Sequence, residues 1–494
     1  MFVGDYLEEV LLKKQIAKAT KWSFITECIA KLINPLTNMI LARILMPSDF
    51  GVIATITMIT SFADMIADAG FQKYIIQNEF KHDEDRKKST DVAFWTNLII
   101  ALFLWILIAV FSEKIAIMVG NKGLGNVILI ACIQLPITAF SSIQIASCKR
   151  DFRYKDLFSV RVVSIIIPFI TTIPLALLGF GYWSVIIGTI FGGISNALVL
   201  FFKCSYRPNF YYNFTLLKKM LSFSIWSLIE AISIWLTAWI DVFVIGTLLD
   251  QNFLGLYKNS INTVNSIMSI ITVSTTSIIF STLSRLQNSQ DEFKKMFFLT
   301  QKLMAIIILP MGVGMYIYSD FITEILLGDQ WIDASKIIGI WAITSAIKMV
   351  LGDYCSEVFR AKGRPKLSFL AQLLHLVVLV PICILSIKHS FITLVYSRSW
   401  IRMQLVFVQW IIMMYIIKIP MLKSFNNIST AVIGSALMGV LAMILRNFKY
   451  EYIWNFTSIG ICIIFYTILT ISIDSDIRNY FKEQLNKFNI NILN

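Results

Sequence analysis

Apolar stretches of about 20 residues, the length that carries an α-helix across a ~30 Å hydrocarbon core, alternate with short polar connections along almost the whole 494-residue chain. Windows of this size fall near 22–44, 50–70, 91–112, 124–146, 157–178, 183–203, 220–246, 252–282, 298–318, 336–358, 367–387, 391–417, 428–446 and 452–472. The pattern predicts an all-α, polytopic membrane protein with about 14 transmembrane helices. Its short connections leave no room for a soluble domain. Within it, residues 40–77 hold the sharpest local signals. Arg43 closes one apolar helix, and Pro47, Ser48 and Asp49 open the next by fixing φ and offering a cap. Gly51 permits close helix approach. Asp64 and Asp68 lie one turn apart on that second helix, which breaks at Gly70.

Composition agrees with this reading. Hydrophobic residues make up 57% of the chain and charged residues only 15%, with a mean hydropathy of +0.72, whereas soluble domains carry about 25% charge. The seven cysteines are scattered without CxxC spacing and the three histidines lie far apart, so no metal centre or cofactor is expected. The first 19 residues mix Glu and Lys with Leu and Ile and resemble an interfacial amphipathic helix, expected to be retained rather than cleaved.

The net charge of +13 would suit nucleic acid, but its distribution excludes that reading. With the N-terminus inside, the even-numbered connections and both tails hold 30 of the 43 Lys and Arg residues and the odd-numbered connections seven. Basic residues mark cytoplasmic loops, so the alternation places both termini in the cytoplasm of a multi-pass protein and accounts for the surplus as topology.

A weak internal repeat at an offset of roughly 205 to 210 residues pairs Phe50-Gly51 with Leu254-Gly255, Gln77-Asn78 with Gln287-Asn288, and the basic cluster 149–155 with 360–366. Equivalent points share a side of the membrane, which implies two six-helix bundles related by an axis along the membrane normal, with a cleft between them. The expected organisation is a cytoplasmic amphipathic segment at 1–19, an N-terminal lobe at 20–215, a C-terminal lobe at 216–425, helices 13 and 14 at 426–473, and a cytoplasmic tail at 474–494.

The elbow Ala42-Arg43-Ile44-Leu45-Met46-Pro47-Ser48-Asp49-Phe50-Gly51 with Asp68-Ala69-Gly70 resembles the start of bacterial polysaccharide transporters of the Wzx and WzxC type, in the multidrug/oligosaccharidyl-lipid/polysaccharide exporter superfamily. Further likenesses follow in order, among them Arg150-Asp151-Phe152-Arg153-Tyr154-Lys155, Gly179-Phe180-Gly181-Tyr182-Trp183-Ser184, Leu254-Gly255-Leu256-Tyr257 and Leu327-Gly328-Asp329-Gln330-Trp331. They cover about residues 15 to 390; beyond that the chain departs from the family's pattern. The resemblance implies a flippase that moves an undecaprenyl-pyrophosphate-linked oligosaccharide, such as an O-antigen, capsule or exopolysaccharide repeat, across the bacterial inner membrane by alternating access. It also implies a side groove for the lipid tail, formed by the last two spans. The implied partners are that substrate, membrane lipids and other polysaccharide-assembly proteins.

A lone charge at mid-bilayer costs about 2.5 to 3.5 kcal/mol, so charged residues inside the windows are the site candidates. Glu27 and Lys31 stand at i,i+4, either as a structural pair or at the cavity. Lys258 follows the family's Leu-Gly-Leu-Tyr, where related flippases carry a cationic head-group ligand; snorkelling to the interface is its alternative. Arg398 and Arg402, one turn apart, would repel unless an anion sits between them, and guanidinium forks suit pyrophosphate; outward snorkelling is again the alternative. Arg161 and Lys348 are weaker members of the same set. Asp64, Asp68 and Asp241 are candidates for coupling H+ or Na+ or for charge pairing, with helix-terminal roles open for the last two. Two rivals remain: a multidrug or organic-cation antiporter of the same superfamily, with an acidic aromatic cavity, and a membrane polysaccharide polymerase or ligase, which would need a larger outer loop with catalytic residues.

Overall fold

The computed structural model describes residues 2–286, 289–448, 452–475 and 478. Among the described residues all regular structure is helical. The succession is α1 (Phe2–Ile44), α2 (Pro47–Asp68), α3 (Phe71–Gln77), α4 (Asp83–Met118), α5 (Gly125–Ala131), α6 (Gln134–Arg150), α7 (Tyr154–Leu177), α8 (Tyr182–Lys203), α9 (Phe214–Leu248) and α10 (Gln251–Arg285). Then follow α11 (Gln290–Ile317), α12 (Ser319–Leu326), α13 (Ser335–Lys348), α14 (Tyr354–Ala361), α15 (Pro365–Ile387), α16 (Phe391–Trp400), α17 (Arg402–Ile412), α18 (Lys423–Arg446) and α19 (Tyr452–Ile473). Helices satisfy their own backbone groups, which is what a lipid solvent demands.

Twelve helical stretches among the described residues are long and apolar enough to cross a membrane. Every window read from the sequence falls on a helix, but those at 22–44 and 252–282 lie on α1 and α10, outside the twelve. α1 runs unbroken from residue 2, so the N-terminal segment and the first window are one helix. Pro35, Pro168, Pro174, Pro310 and Pro381 all sit inside helices. π-helical turns at Met349–Asp353 and Met413–Ile417 join α13 to α14 and extend α17. The Gln287-Asn288 half of the repeat and the tail beyond 478 lie outside the described residues.

The chain divides into two compact units, residues 1–259 with 383–388, and residues 260–382 with 389–494. In the first, a core of Phe71, Tyr74, Ile75, Val92, Phe94 and Met220 ties α3, α4 and the start of α9 together. Large apolar side chains such as Phe103 and Val110 point outward, as lipid-facing positions do. α8 lies on α7, where a Cβ on Gly188 or Gly192 would collide with Thr172 or Pro168.

The elbow at residues 45–51 forms as its composition predicts, with one difference. Met46 occupies the cap position and Pro47 the first helical one; Asp49, three residues in, reaches back so that its Oδ2 accepts from Met46 N at 3.1 Å. Its Oδ1 accepts from Tyr182 N at 3.2 Å, fastening the start of α8. A second elbow, between α9 and α10, packs against this one within the first unit. A Cβ on Gly51 would stand 2.0 Å from Gln251 O, and one on Gly255 only 1.7 Å from Pro47 O. The two glycines echo each other in the repeat, and the contacts are reciprocal. Asn121 completes the join, donating to Thr55 Oγ1 at 3.2 Å and accepting from Gln251 Nε2. A side chain at Gly255 must push backbone aside. We expect Gly255→Val to lower the thermal midpoint of the detergent-purified protein by several degrees and Gly123→Ala, with no atom within 4 Å of its Cβ but φ at +92°, to lower it less; differential scanning fluorimetry checks both.

Candidate functional site

Polar groups inside apolar helices are where function is expected, because each must be paid for by a partner, by water or by a ligand. In the first unit α1 presents Lys31, Asn34, Asn38 and Leu41 at helical spacing, so they share one face. Asn34, Thr37, Asn38, Arg161, Ser164 and Pro168 line a pocket of about 280 Å³ between α1 and α7. Asn38 Nδ2 donates to Asn259 Oδ1 at 2.8 Å. Asn259 is 1% exposed, and its Nδ2 has no partner among the described residues. The Arg161 side chain is exposed and makes no hydrogen bond or ion pair among the described residues. Lys258, which precedes Asn259 on α10, places its ammonium 3.9 Å from the centre of the Trp239 ring, a cation–π contact that holds it against α9.

The acids of this unit are distributed differently. Asp64 Oδ1 accepts from Thr138 Oγ1 on α6 at 2.6 Å. Asp68, the last residue of α2, keeps a buried Oδ1 without a hydrogen-bond partner among the described residues. Glu230 pairs with Lys73 at 3.7 Å. No ion pair joins Glu27 to Lys31, or Lys31 to Asp64, among the described residues, so of the two readings of Glu27 and Lys31 the structural pair is not the one made. Glu27 is exposed and Lys31 half-buried. Asp241 is 3% exposed; its Oδ2 accepts from Tyr257 OH at 2.7 Å and its Oδ1 from Val242 N at 2.8 Å. It braces the α9–α10 elbow, a structural use.

The second unit brings Arg398 and Arg402 together around one ring. The Arg402 guanidinium lies 3.6 Å from the centre of the Trp341 ring and that of Arg398 5.6 Å. Both side chains are buried, which removes the outward-snorkelling reading. Arg402 donates from Nη1 to Ser345 Oγ at 2.9 Å, from Nη2 to Trp341 O at 3.3 Å and to Thr344 Oγ1, and from Nε to Ser399 O at 3.3 Å. Its fork is thus filled by α13 and α16, and pyrophosphate would have to displace those partners. Beside it His375 Nδ1 is 2.8 Å from Gln404 Oε1. Lys348 is paired with Asp353 at 2.6 Å. Of the six predicted basic ligands, then, Arg402 and Lys348 are held by protein groups, Arg398 and Lys258 lie over tryptophan rings, and Arg161 and Lys31 remain on polar faces.

Sequence reasoning passed over Asn34, Asn38, Asn259 and Ser164, which carry no charge. Their signal was present: amides at i, i+4 in a helix that otherwise reads Ile, Leu and Met. An apolar groove of about 500 Å³ lies between α11, α18 and α19, the last two being the spans for which the resemblance implies a lipid-tail groove; Ile307, Met311, Gly314, Met438, Ile459 and Ile463 are among its lining residues. Tyr466 OH closes its wall by donating to Ile306 O at 2.8 Å.

The polysaccharide biosynthesis protein family matches residues 40–336, well over half of the chain. The chain belongs to that family. It is 23% identical over 375 residues to an uncharacterised membrane protein in the cps region of Klebsiella pneumoniae, spanning 75% of this chain and 76% of the relative. It is 22% identical to the succinoglycan biosynthesis transport protein ExoT of Rhizobium meliloti, over 68% and 67%. To the lipopolysaccharide biosynthesis protein WzxC of Escherichia coli it is 19% identical, over 72% of each. In fold it is similar to the lipid II flippase MurJ in an inward closed conformation, with a TM-score of 0.75 at 16% identity over 93% of this chain and 99% of that one. A multidrug resistance transporter of the MOP superfamily in an inward-facing conformation follows with a TM-score of 0.58 at 14% identity, over 81% and 95%.

The contrast between the filled fork of Arg402 and the open one of Arg161 is testable. Arg402→Ala leaves buried hydroxyl and carbonyl groups without donors and should lower the thermal midpoint by several degrees and the membrane yield with it. Arg161→Gln should leave the midpoint within about one degree of wild type, as exposed substitutions do, while glycan export in a complemented deletion strain falls.

Proposed function

We propose that this protein is a transporter that carries a lipid-linked oligosaccharide from the cytoplasmic to the outer leaflet of the bacterial inner membrane. The observation that carries the reading is the apolar groove along α11, α18 and α19, in a chain whose family and relatives serve polysaccharide biosynthesis and transport. A polyprenyl tail needs an apolar berth while its pyrophosphate and sugars need a polar one. The groove supplies the first. The Arg161 pocket with Asn34 and Asn38 supplies a polar, cationic surface of the second kind. We assign undecaprenyl pyrophosphate as the carrier and alternating access of two lobes as the movement, with both termini cytoplasmic. Asp64, held by Thr138, is the residue we assign to coupling by H+ or Na+, since one charge crossing 100 mV yields about 2.3 kcal/mol. Other polysaccharide-assembly proteins are the expected partners. The uncommitted Arg161 favours an anionic passenger over an organic cation.

Gly314 offers a clean test, because it lines the groove and nothing lies within 4 Å of a Cβ built on it. Gly314→Trp should fill the groove without disturbing its walls. Export of the strain's surface glycan, measured by immunoblot in a deletion background, should drop below about a tenth of wild type at equal protein in the membrane, and lipid-linked repeat should accumulate inside. Wild-type export from this variant would refute the groove's role; export unaffected by deletion of the whole gene would refute the transport reading.

A further inference from the structure

A second, polar cavity of about 690 Å³ lies in the second unit, at the C-terminal end of α18. It is bounded by the C-terminal ends of α11 and α18 and the N-terminal parts of α12, α13 and α16. Tyr316, Ser319, Lys336, Tyr396, Arg446 and Asn447 face it. Arg446 is fixed, donating from Nη2 to Asp320 Oδ2 at 2.5 Å and from Nη1 to Ile317 O. Lys336 is exposed, and its ammonium has no hydrogen bond or ion pair among the described residues; the same holds for the Tyr316 and Tyr396 hydroxyls. The tyrosine rings are 48% and 43% exposed, unlike those of Tyr318 and Tyr466 in the same unit, which are buried and bonded. One held cation, one unengaged cation, two hydroxyl-bearing rings and a single carboxylate thus converge on a basin with a net positive charge.

We propose that this basin binds the phosphate-bearing head group of a lipid at the membrane face opposite the basic loops. Phosphate is the chemistry that suits it, because a preorganised guanidinium and an unengaged ammonium bind a phosphate oxyanion through charge-assisted bonds, while exposed tyrosines flank and hydrogen-bond the attached sugar or glycerol. The placement follows from the helix directions. α11 and α15 start beside Lys294, Lys295, Lys362, Arg364 and Lys366, so the end of α11 and the start of α16 lie on the other side, which by charge bias is the outer one. A phosphate head at this end belongs either to the delivered polyprenyl pyrophosphate or to a resident anionic phospholipid. The first source rests on the proposed transport function; the second does not.

The test uses the full-length protein in phosphatidylcholine nanodiscs, titrated with undecaprenyl pyrophosphate in one arm and phosphatidylglycerol in the other, with bound lipid counted by native mass spectrometry. Wild type and Lys336→Arg should retain the lipid, and Lys336→Glu should weaken retention about tenfold or more at an unchanged thermal midpoint. Lys388→Glu, an exposed lysine outside the basin, should retain it. The arm in which the loss appears names the source. Equal retention by wild type and Lys336→Glu in both arms, or an equal loss in Lys388→Glu, overturns the site. Glycan export, measured separately, tests the transport reading, so either can fail without the other.

Discussion

Two helical elbows meet backbone to backbone at Gly51 and Gly255, and the arrangement of the first unit hangs on that contact. Neither position has room for a methyl group, since the opposing atoms are main-chain carbonyl oxygens. Around this point the polar groups of four segments are spent on one another: Asp49 on Met46 and Tyr182, Asn121 on Thr55 and Gln251, Asp241 on Tyr257. Inside a bilayer such a join is stable because exposed backbone has nowhere else to find a partner. The same join brings α10 to α1, so that Asn259 meets Asn38 and the polar face of α1 is positioned against α7.

Charge is used in two ways. Arg402 is a clamp: every nitrogen of its guanidinium is engaged, and its plane covers Trp341. Burying a guanidinium is costly, and removing it from such a set of partners leaves those buried groups unsatisfied. Arg161, Lys31 and Lys336 are the opposite case, cations left on polar faces or in cavities. A protein that handles an anionic, amphipathic passenger needs the second kind near its route and the first kind to keep the route's walls rigid.

The pairing of an apolar groove with polar recesses matches the chemistry of a lipid-linked saccharide. The groove between α11, α18 and α19 exposes almost only hydrocarbon, and its helices are pinned at one end by Lys302 and Thr430 on Asp474 and at the other by Arg446 on Asp320. The Arg446–Asp320 anchor lies at helix ends, where water is available and an ion pair is least costly to form, whereas Lys302, part-way along α11, meets Asp474 in a largely buried pair.

Hydropathy and charge bias were enough to place the helices, because a bilayer allows so few backbone solutions: each apolar window lies on a helix, and the Pro47-Ser48-Asp49 and Gly51 signals mark a real elbow. Chain position could also name the charged candidates, since any Lys or Arg within an apolar window stands out. What sequence could not decide is where those side chains end. Lys31 and Glu27 have ideal spacing for a pair and make none among the described residues, while the Arg402 Nη groups find their partners 57 to 61 residues away. Spacing fixes only the face of a single helix; the neighbour that face meets is set by packing. For that reason Asn38 with Asn259, the arginines over Trp341, and the basin around Lys336 emerged only once the helices were assembled.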